Sequence, residues 1–240
     1  MRIKNLSLCL IPVLFSLSIF AQSIDKNFSA NNLNTYYNHQ IGKSAILYSG
    51  TAYITLRIPM EGSPFLGSDT LTLGWMSYDG QYYKDVLLQW DVFQNYVLTQ
   101  SLISNAKLIL RNDLIDSFSF AGHLVKFMPR DKENNLMNEG LYDILYAGST
   151  SLMARRKKVN KERLDTNKPI YQISDKNSYY IKKKGIYYQV SNKKDLADLF
   201  AKDLAEIKKA VRRNKLKWKK DFEQVLMIAV AHYDKANTIK

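Results

Sequence analysis

The clearest fold signal in this chain is the stretch LTLGWMSYDGQYYKDVLLQW, residues 71–90. Two strand-like runs flank Asp79-Gly80, a pair that favours the tight turn of a β-hairpin because both residues tolerate positive φ. In the second run Val86, Leu88 and Trp90 alternate with mainly polar positions, as expected for a strand with one buried face. The stretch therefore predicts an antiparallel hairpin.

Similar short runs lie on both sides of this hairpin, and turn residues separate them. A second hairpin is predicted over residues 179–190, with its turn near Lys184-Gly185. The predicted strands are 45–58, 71–78, 81–90, 92–99, 107–110, 115–120, 124–128 and 141–147, with weaker candidates at 152–159 and 169–173. This spacing predicts an antiparallel β-rich body over residues 41–191, either sandwich-like or a half-open barrel.

The hydrophobic period becomes helical at Asn192, a good N-cap, with Asp195 favoured by the helix dipole. One apolar stripe then comprises Leu196, Leu199, Phe200, Leu204, Ile207 and Val211. Asn214 is a reasonable stop, and a second helix from about Trp218 has an inner face of Phe222, Val225, Leu226, Ala229 and Tyr233. Residues 192–236 are therefore predicted to form a helical hairpin that packs on the β-rich body. Together the two parts are predicted to form a single α+β domain over 41–240.

Residues 1–21 have the features of an export signal. Two basic residues precede an apolar run over 8–20, and Ala21 is a small residue suited to cleavage. The apolar run is too short to cross a membrane, which needs about 20 apolar residues. We therefore expect an exported protein that is periplasmic, outer-membrane associated or secreted, and whose residues 22–40 form a flexible lead-in.

The only cysteine, Cys9, lies inside this predicted signal. A mature chain without a thiol has no disulfide, no cysteine nucleophile and no cysteine-ligated metal site. Hydrophobic residues make up 46% of the chain and the mean hydropathy is −0.30, values that exclude a wholly disordered chain and an integral helical membrane protein.

Positive charge is concentrated in the last part of the chain. Residues 22–150 carry nine Lys/Arg and twelve Asp/Glu, whereas residues 151–240 carry 24 and ten. The last 90 residues contain three basic clusters, of which the run over 208–220 has eight Lys/Arg and no acid. Such an asymmetry favours an acidic partner, although solvated surface charge is the simpler interpretation.

Candidate binding residues for this anionic partner come from all three clusters. They are Arg155, Arg156, Lys182, Lys183, Lys208, Lys209, Arg212 and Arg213. The partner is expected to be an anionic lipid, lipopolysaccharide or an acidic envelope protein, because phosphates and carboxylates are attracted to such a surface. Export makes a nucleic acid an improbable ligand, so none is expected.

No catalytic residue, metal ligand or cofactor is predicted. The three histidines, His39, His123 and His232, show no metal-ligand spacing, and a structural or surface role is expected for each. Asp113 and Asp116 form a possible carboxylate pair, but their surroundings favour a turn between strands. The sequence contains none of the phosphate-binding, nucleotide-binding or nucleophile-elbow motifs.

Scattered aromatic and glycine positions resemble a set of uncharacterised exported proteins from Bacteroidota. The similarity covers Gly62-Ser63-Pro64-Phe65, Gly74-Trp75 through Trp90-Asp91, Leu141-Tyr142 with Leu145-Tyr146-Ala147-Gly148, and the closing segment from Ser191 through Asn214 to Tyr233-Asp234. The resemblance implies export and a single structural unit. The family carries no established activity, so it implies no functional residues.

Two functional hypotheses follow from these observations. The first is a non-enzymatic binding or accessory component of the cell envelope, with a basic C-terminal surface for an anionic partner. The second is a carboxylate-dependent enzyme acting on acidic carbohydrate or lipid. A deep pocket with two carboxylates or a His–Asp pair would favour the enzyme, and a flat basic face without one would favour binding.

Overall fold

The structure is a computed structural model that describes residues 46–55, 60–130, 136–163 and 170–238. The predicted export signal over 1–21, the lead-in over 22–40 and His39 lie outside these residues. Within them, an antiparallel β-rich body is followed by C-terminal helices, so the predicted α+β class is confirmed.

Strands occupy most of the described residues before residue 191. They are β1 (Thr51–Ala52), β2 (Met60–Glu61), β3 (Thr72–Tyr78), β4 (Gln81–Asp91), β5 (Tyr96–Gln100), β6 (Lys107–Ile109), β7 (Ile115–Phe120), β8 (His123–Met128), β9 (Gly140–Ala147), β10 (Ser151–Arg155), β11 (Lys158–Arg163), β12 (Ile170–Asp175), β13 (Ser178–Lys183) and β14 (Ile186–Val190). Eleven form one open antiparallel sheet in the order β1-β6-β5-β4-β3-β7-β8-β9-β10-β13-β14. The other three form a small sheet in the order β11-β12-β2.

The hairpin predicted around Asp79-Gly80 is confirmed as β3 and β4. Both turn residues have positive φ, 52° and 70°, as a two-residue hairpin turn requires. A bulge lies farther along, where Asp85 has a φ of 55° and the pairing register shifts. The extra residue lets Tyr83 and Val86 both face the core, although they are three positions apart.

The predicted inner face of β4 is also confirmed, since Val86, Leu88 and Trp90 are buried. Asp91 is buried as well, which the alternation does not predict. Its Oδ1 accepts hydrogen bonds from the backbone N–H groups of Phe93 (2.9 Å) and Gln94 (2.8 Å). This Asx-type turn ends β4, so the strand predicted over 92–99 begins only at Tyr96.

Two predicted strands are wrong in part. The strand expected over 45–58 begins as a 3-10 turn at Ile46–Tyr48, which buries Leu47, and only Thr51–Ala52 pairs as a strand among its described residues. The strand expected over 152–159 is divided into β10 and β11. Arg156 lies between these two strands and forms an ion pair with Asp143.

Three α-helices follow the sheet within the described residues. They are α1 (Lys193–Leu199), α2 (Leu204–Arg213) and α3 (Phe222–Thr238). Asn192 caps α1 as predicted, because its side chain accepts from the backbone N–H groups of Lys194 and Asp195. None of these helices is long and apolar enough to cross a membrane.

The predicted two-helix hairpin is corrected to three helices, because its first helix is broken at Phe200. The backbone there leaves the helical region, with φ −122° and ψ 38°, and the ring packs against Tyr233 of α3 at 5.0 Å between centroids. Phe200 and Tyr233 are distant in sequence, so the hydrophobic periodicity of a single helix does not predict their contact. As a result Leu204 is only half-buried, whereas Ile207 is fully buried.

The interior is divided into two main apolar clusters. The first lies on the early strands and includes Met76, Trp90 and Phe118. The second lies between the late strands and the helices, and its buried members are Leu152, Ile181, Val190, Leu196, Phe200, Ile207, Val211, Val225, Leu226, Ala229 and Val230. The helices therefore pack on one face of β10, β13 and β14.

Polar contacts hold both ends of α3 against the sheet. At its start, Glu223 pairs with Arg156. Near its end, Asp234 accepts from the backbone N–H of Thr150, at 3.1 Å to Oδ1 and 3.0 Å to Oδ2. The approach is so close that a Cβ on Gly148 would lie 2.3 Å from Asp234 Oδ2, so any side chain at this position would displace the Asp234 carboxylate.

Replacing Leu226 with Ala is expected to destabilise the protein by about 2–5 kcal/mol, because the fully buried side chain leaves a cavity between sheet and helices. The adjacent Met227 is 38% exposed, so Met227→Ala is the matched control and is expected to cost less than about 1 kcal/mol. Urea denaturation measures both free energies of unfolding. Equal losses would contradict the packing of α3 described here.

Asp234 should make the stability of the protein depend on pH. Burial acts to raise the pKa of this carboxyl, but hydrogen bonds from Thr150 outweigh it and hold the pKa below its usual value. The stabilisation is therefore complete at neutral pH and is lost as the pH falls below about 4, where the unfolded chain binds the proton more readily. The stability advantage of the native chain over Asp234→Asn should shrink between pH 7 and pH 3, and a constant difference would contradict this account.

Candidate functional site

The longest basic cluster is an ordered structural unit, which we name the α2–α3 basic segment (residues 208–220). Its first part lies on α2, where Ile207 and Val211 are buried and the exposed residues include Lys209 and Arg212. Among the described residues, the only ion pair of this segment joins Lys209 and Glu206 at 3.8 Å. Both side chains are exposed, so the pair contributes little.

The helix in this segment ends at Asn214, as the sequence predicts. Lys215 adopts a left-handed conformation with a φ of 56°, and its N–H donates to the Arg212 carbonyl at 3.0 Å. The N–H of Leu216 donates to the Val211 carbonyl at 3.1 Å, which completes a Schellman motif. The last carbonyl groups of α2 are therefore satisfied, and the chain leaves the helix in a fixed direction.

The turn that leads into α3 is held just as firmly. The Lys217 N–H donates to Asp221 Oδ2 at 2.8 Å, and the Asp221 N–H donates back to the Lys217 carbonyl at 2.8 Å. Trp218, inside this closed turn, is half-buried and lies 5.0 Å below the ammonium group of Lys193 at the start of α1. The turn thus presents its lysines from a fixed backbone.

A polar cleft of about 540 Å³ adjoins this turn. Its lining includes Lys219 and Lys220 from the turn, Ser191 before α1, Tyr179 of β13 and Glu223 of α3. Ammonium and hydroxyl groups are hydrogen-bond donors that suit phosphate or carboxylate oxygens. The cleft and the α2–α3 basic segment together form the candidate site.

Arg156 lines this cleft and joins two carboxylates. Its Nε donates to Asp143 Oδ2 at 2.8 Å. Nη1 and Nη2 donate to the two carboxylate oxygens of Glu223 at 2.5 and 3.0 Å, a bidentate pair, and Tyr179 donates its hydroxyl to the same carboxylate at 3.0 Å. The network therefore connects β9, the end of β10, β13 and α3.

The charge states of this network follow from burial and pairing. Burial acts against the charged form of Arg156, but hydrogen bonds and charge from Glu223 and Asp143 outweigh it and raise the guanidinium pKa. Burial and the nearby charge of Glu223 raise the pKa of Tyr179 to about 12. Arg156 is thus cationic and Tyr179 a neutral donor at any physiological pH.

The structure contains a His–Asp pair, which is one of the features that would favour an enzyme. This pair lies outside the cleft. His123 Nδ1 donates to Asp143 Oδ2 at 2.8 Å, the same oxygen that Arg156 occupies. The Asp143 side chain is only 1% exposed, and neither member of the pair lines the cleft. The pair therefore extends the network of Arg156 and Asp143.

Two carboxylates do line the cleft, those of Asp175 and Glu223. The Glu223 oxygens already accept from Arg156 and Tyr179, so this group is a poor proton acceptor for a substrate. The other pair considered from sequence is also engaged elsewhere, since Asp113 pairs with Arg111 at 2.6 Å and Asp116 accepts from Ser77 at 2.9 Å.

The eight predicted binding residues do not form one surface. Arg156 is buried and paired with Asp143 and Glu223, which leaves its guanidinium little capacity for an anionic partner. Arg155 and Lys182 are half-buried over the rings of Tyr142 (5.9 Å) and Tyr187 (5.1 Å), on the sheet face away from the helices. Lys183 lies on the opposite face and donates to the Leu199 carbonyl at 2.6 Å. Lys208, Lys209, Arg212 and Arg213 remain together on α2.

Sequence reasoning missed the partners of Arg156. Asp143 is a charged residue in the middle of the apolar run over 141–147, and a charge at a buried strand position needs a partner. That signal predicts a buried ion pair, but nothing in the sequence identifies Arg156 and Glu223 as the other members.

In the part of the chain that the structure describes, no three His, Asp or Glu residues are grouped to hold a metal ion. Comparisons with models of protein families, with curated proteins and with solved structures give no match. The function of this protein therefore has to be inferred from the geometry and charge of its own residues.

Replacing Arg156 with Met is expected to destabilise the protein by about 3–5 kcal/mol, because the buried carboxylate of Asp143 loses its cationic partner. Arg155→Met is the matched control, and the loss of its ring contact is expected to cost about 1 kcal/mol or less. Thermal and urea denaturation measure both effects. A cost for Arg156→Met no larger than the control's would contradict the network.

Proposed function

We propose that this protein is an exported, non-enzymatic binding component of the cell envelope, and that its α2–α3 basic segment engages an anionic partner. The observation that carries the proposal is the fixed turn that places Lys219 and Lys220 beside a polar cleft. A cluster of lysines on an ordered backbone binds anions at a lower entropic cost than a flexible tail does.

Charge and spacing support a phosphate-bearing partner. The segment carries eight Lys/Arg and no acid over residues 208–220. On α2, Lys208 lies four positions before Arg212, and Lys209 four positions before Arg213, so each pair shares one helical side and can contact neighbouring phosphates. Anionic envelope lipids, whose headgroups are closely spaced, match this arrangement.

Export supports an envelope location for this partner. The basic and apolar pattern of residues 1–21 is that of an export signal, and the resemblance to exported proteins of Bacteroidota points to the same compartment. We accordingly propose that the protein is exported and is periplasmic, outer-membrane associated or secreted. An enzyme on acidic carbohydrate or lipid has less support, because Arg156 and Tyr179 occupy the cleft carboxylate Glu223.

Reversing four charges on α2 tests the proposal. The variant with Lys208, Lys209, Arg212 and Arg213 changed to Glu is expected to lose at least about tenfold in affinity for phosphatidylglycerol vesicles, because exposed charges provide the long-range attraction. Binding is measured by co-sedimentation at about 0.05 and 0.5 M salt, with phosphatidylcholine vesicles alongside. The native chain should bind only the anionic vesicles, and mainly at low salt.

The matched control carries the same net charge at other positions. It changes the exposed residues Lys84, Lys126, Arg130 and Lys161 to Glu and is expected to keep most of the binding. Equal losses in the two variants would mean that net charge alone drives adsorption. That result, or equal binding of the native chain to neutral vesicles, would overturn the proposal.

A further inference from the structure

The last strand of the large sheet, β14, has an open edge. Its only neighbour among the described residues is β13. Because Ile186 pairs with Lys183 across the two-residue turn, the ladder hydrogen bonds use Ile186, Tyr188 and Val190. The backbone N–H and C=O groups of Tyr187 and Gln189 therefore point away from the sheet, as the groups of an edge strand do.

Apolar side chains are exposed along the same strand. Ile186 is 47% and Tyr188 37% exposed, and both lie on the face that carries the helices. There they line a cleft of about 740 Å³, together with Phe200 after α1 and Tyr233 of α3. A segment added to β14 would therefore have backbone partners at the edge and an apolar surface beside it.

Lysines flank this edge at both ends. Residues 176–194 contain six lysines and no acid. Lys184 is exposed in the hairpin turn, and Lys193 and Lys194 are exposed at the start of α1. Asp198 of α1 and Asp203 before α2 also line the cleft, and Asp195 follows Lys194 with its carboxylate on the Ser191 N–H, but none of these acids lies on the strand itself. An extended segment along β14 would thus pass between two positive groups.

This charge pattern disfavours a second copy of the chain as the occupant. Antiparallel pairing of β14 with itself, centred on Tyr188, would bring the hairpin turn that carries Lys184 in one copy close to Lys193 and Lys194, at the start of α1, in the other copy. Like charges brought together in this way repel each other. Acidic residues at the same positions would be stabilising, so the charges select a different partner.

We propose that β14 binds an extended acidic segment of a partner protein as an additional strand of the sheet. The backbone groups of Tyr187 and Gln189 form the ladder, alternate apolar side chains of the segment contact Ile186 and Tyr188, and acidic residues at its ends pair with Lys184 and Lys194. β14 itself has five residues, at about 3.3 Å each, so the acids of the segment are expected beyond both ends of a strand of that length. This inference does not depend on the α2–α3 basic segment.

Synthetic peptides test the strand pairing directly. The probe is a fluorescent nonapeptide with two acidic residues at each end and alternating Val and Thr between them, and fluorescence anisotropy measures its affinity for the mature chain. Two further versions carry N-methyl groups on either the odd or the even central residues. Since only one set of N–H groups can face β14, one version is expected to lose at least about tenfold in affinity relative to the other. Equal affinities would overturn the proposal.

Protein variants test the position of the site. Gln189→Pro removes an N–H that points away from the sheet and leaves the hydrogen bonds to β13 intact, a change that edge strands tolerate. It is expected to lower the affinity for the peptide at least about threefold. The double variant with Lys184→Glu and Lys194→Glu is expected to lower the affinity for the peptide about tenfold or more. The control, Lys208→Glu with Arg212→Glu, has the same charge change on α2 and should bind the peptide as the native chain does.

The outcomes separate this proposal from the proposed function. If the α2 variant loses vesicle binding but keeps peptide binding, the result supports a separate site at β14. Equal loss of peptide affinity in both charge variants would overturn it, because adsorption would then follow net charge alone. A concentration-dependent dimer in analytical ultracentrifugation that Gln189→Pro abolishes would also overturn it, since a second copy would then occupy the edge.

Discussion

The arrangement of the C-terminal half depends on the guanidinium of Arg156, which joins two carboxylates from different layers of the fold. Asp143 belongs to β9 and Glu223 to the first turn of α3, so one buried cation joins the start of α3 to the sheet. Buried charges are tolerated when they are paired and hydrogen-bonded, and each charged group of this network has an oppositely charged partner, although Asp143 is engaged through Oδ2 and its Oδ1 accepts no hydrogen bond among the described residues. The start of α3 therefore has little freedom to move.

The position of the basic segment follows from this constraint. Asp221, which closes the α2–α3 turn onto Lys217, directly precedes α3, so the turn is fixed wherever the helix is fixed. The cleft beside Lys219 and Lys220 is likewise bordered by Arg156 and Glu223. The same buried ion pair thus stabilises the fold and determines which lysines stand beside the cleft.

The fold separates basic residues that the sequence presents as similar clusters. Some become internal cations: Arg156 is paired with acids, and Lys158 donates to the backbone carbonyls of Ser63 and Phe65 at 2.8 and 2.6 Å. Others, on α2 and in the turn after it, remain in solvent. This second group is accessible to a partner, and its concentration on α2 and the following turn places the candidate site on one part of the chain.

Local interactions explain what the sequence by itself determined. The turns at Asp79-Gly80 and Lys184-Gly185, the cap at Asn192 and the stop at Asn214 depend on atoms a few residues apart, so composition and spacing predicted them, and with them the α+β class. Only the tertiary structure decided that the helix breaks at Phe200 and that Arg156 is buried. Arg156 and Glu223 are 67 residues apart, and periodicity within one element carries no information about which distant residue a side chain will meet.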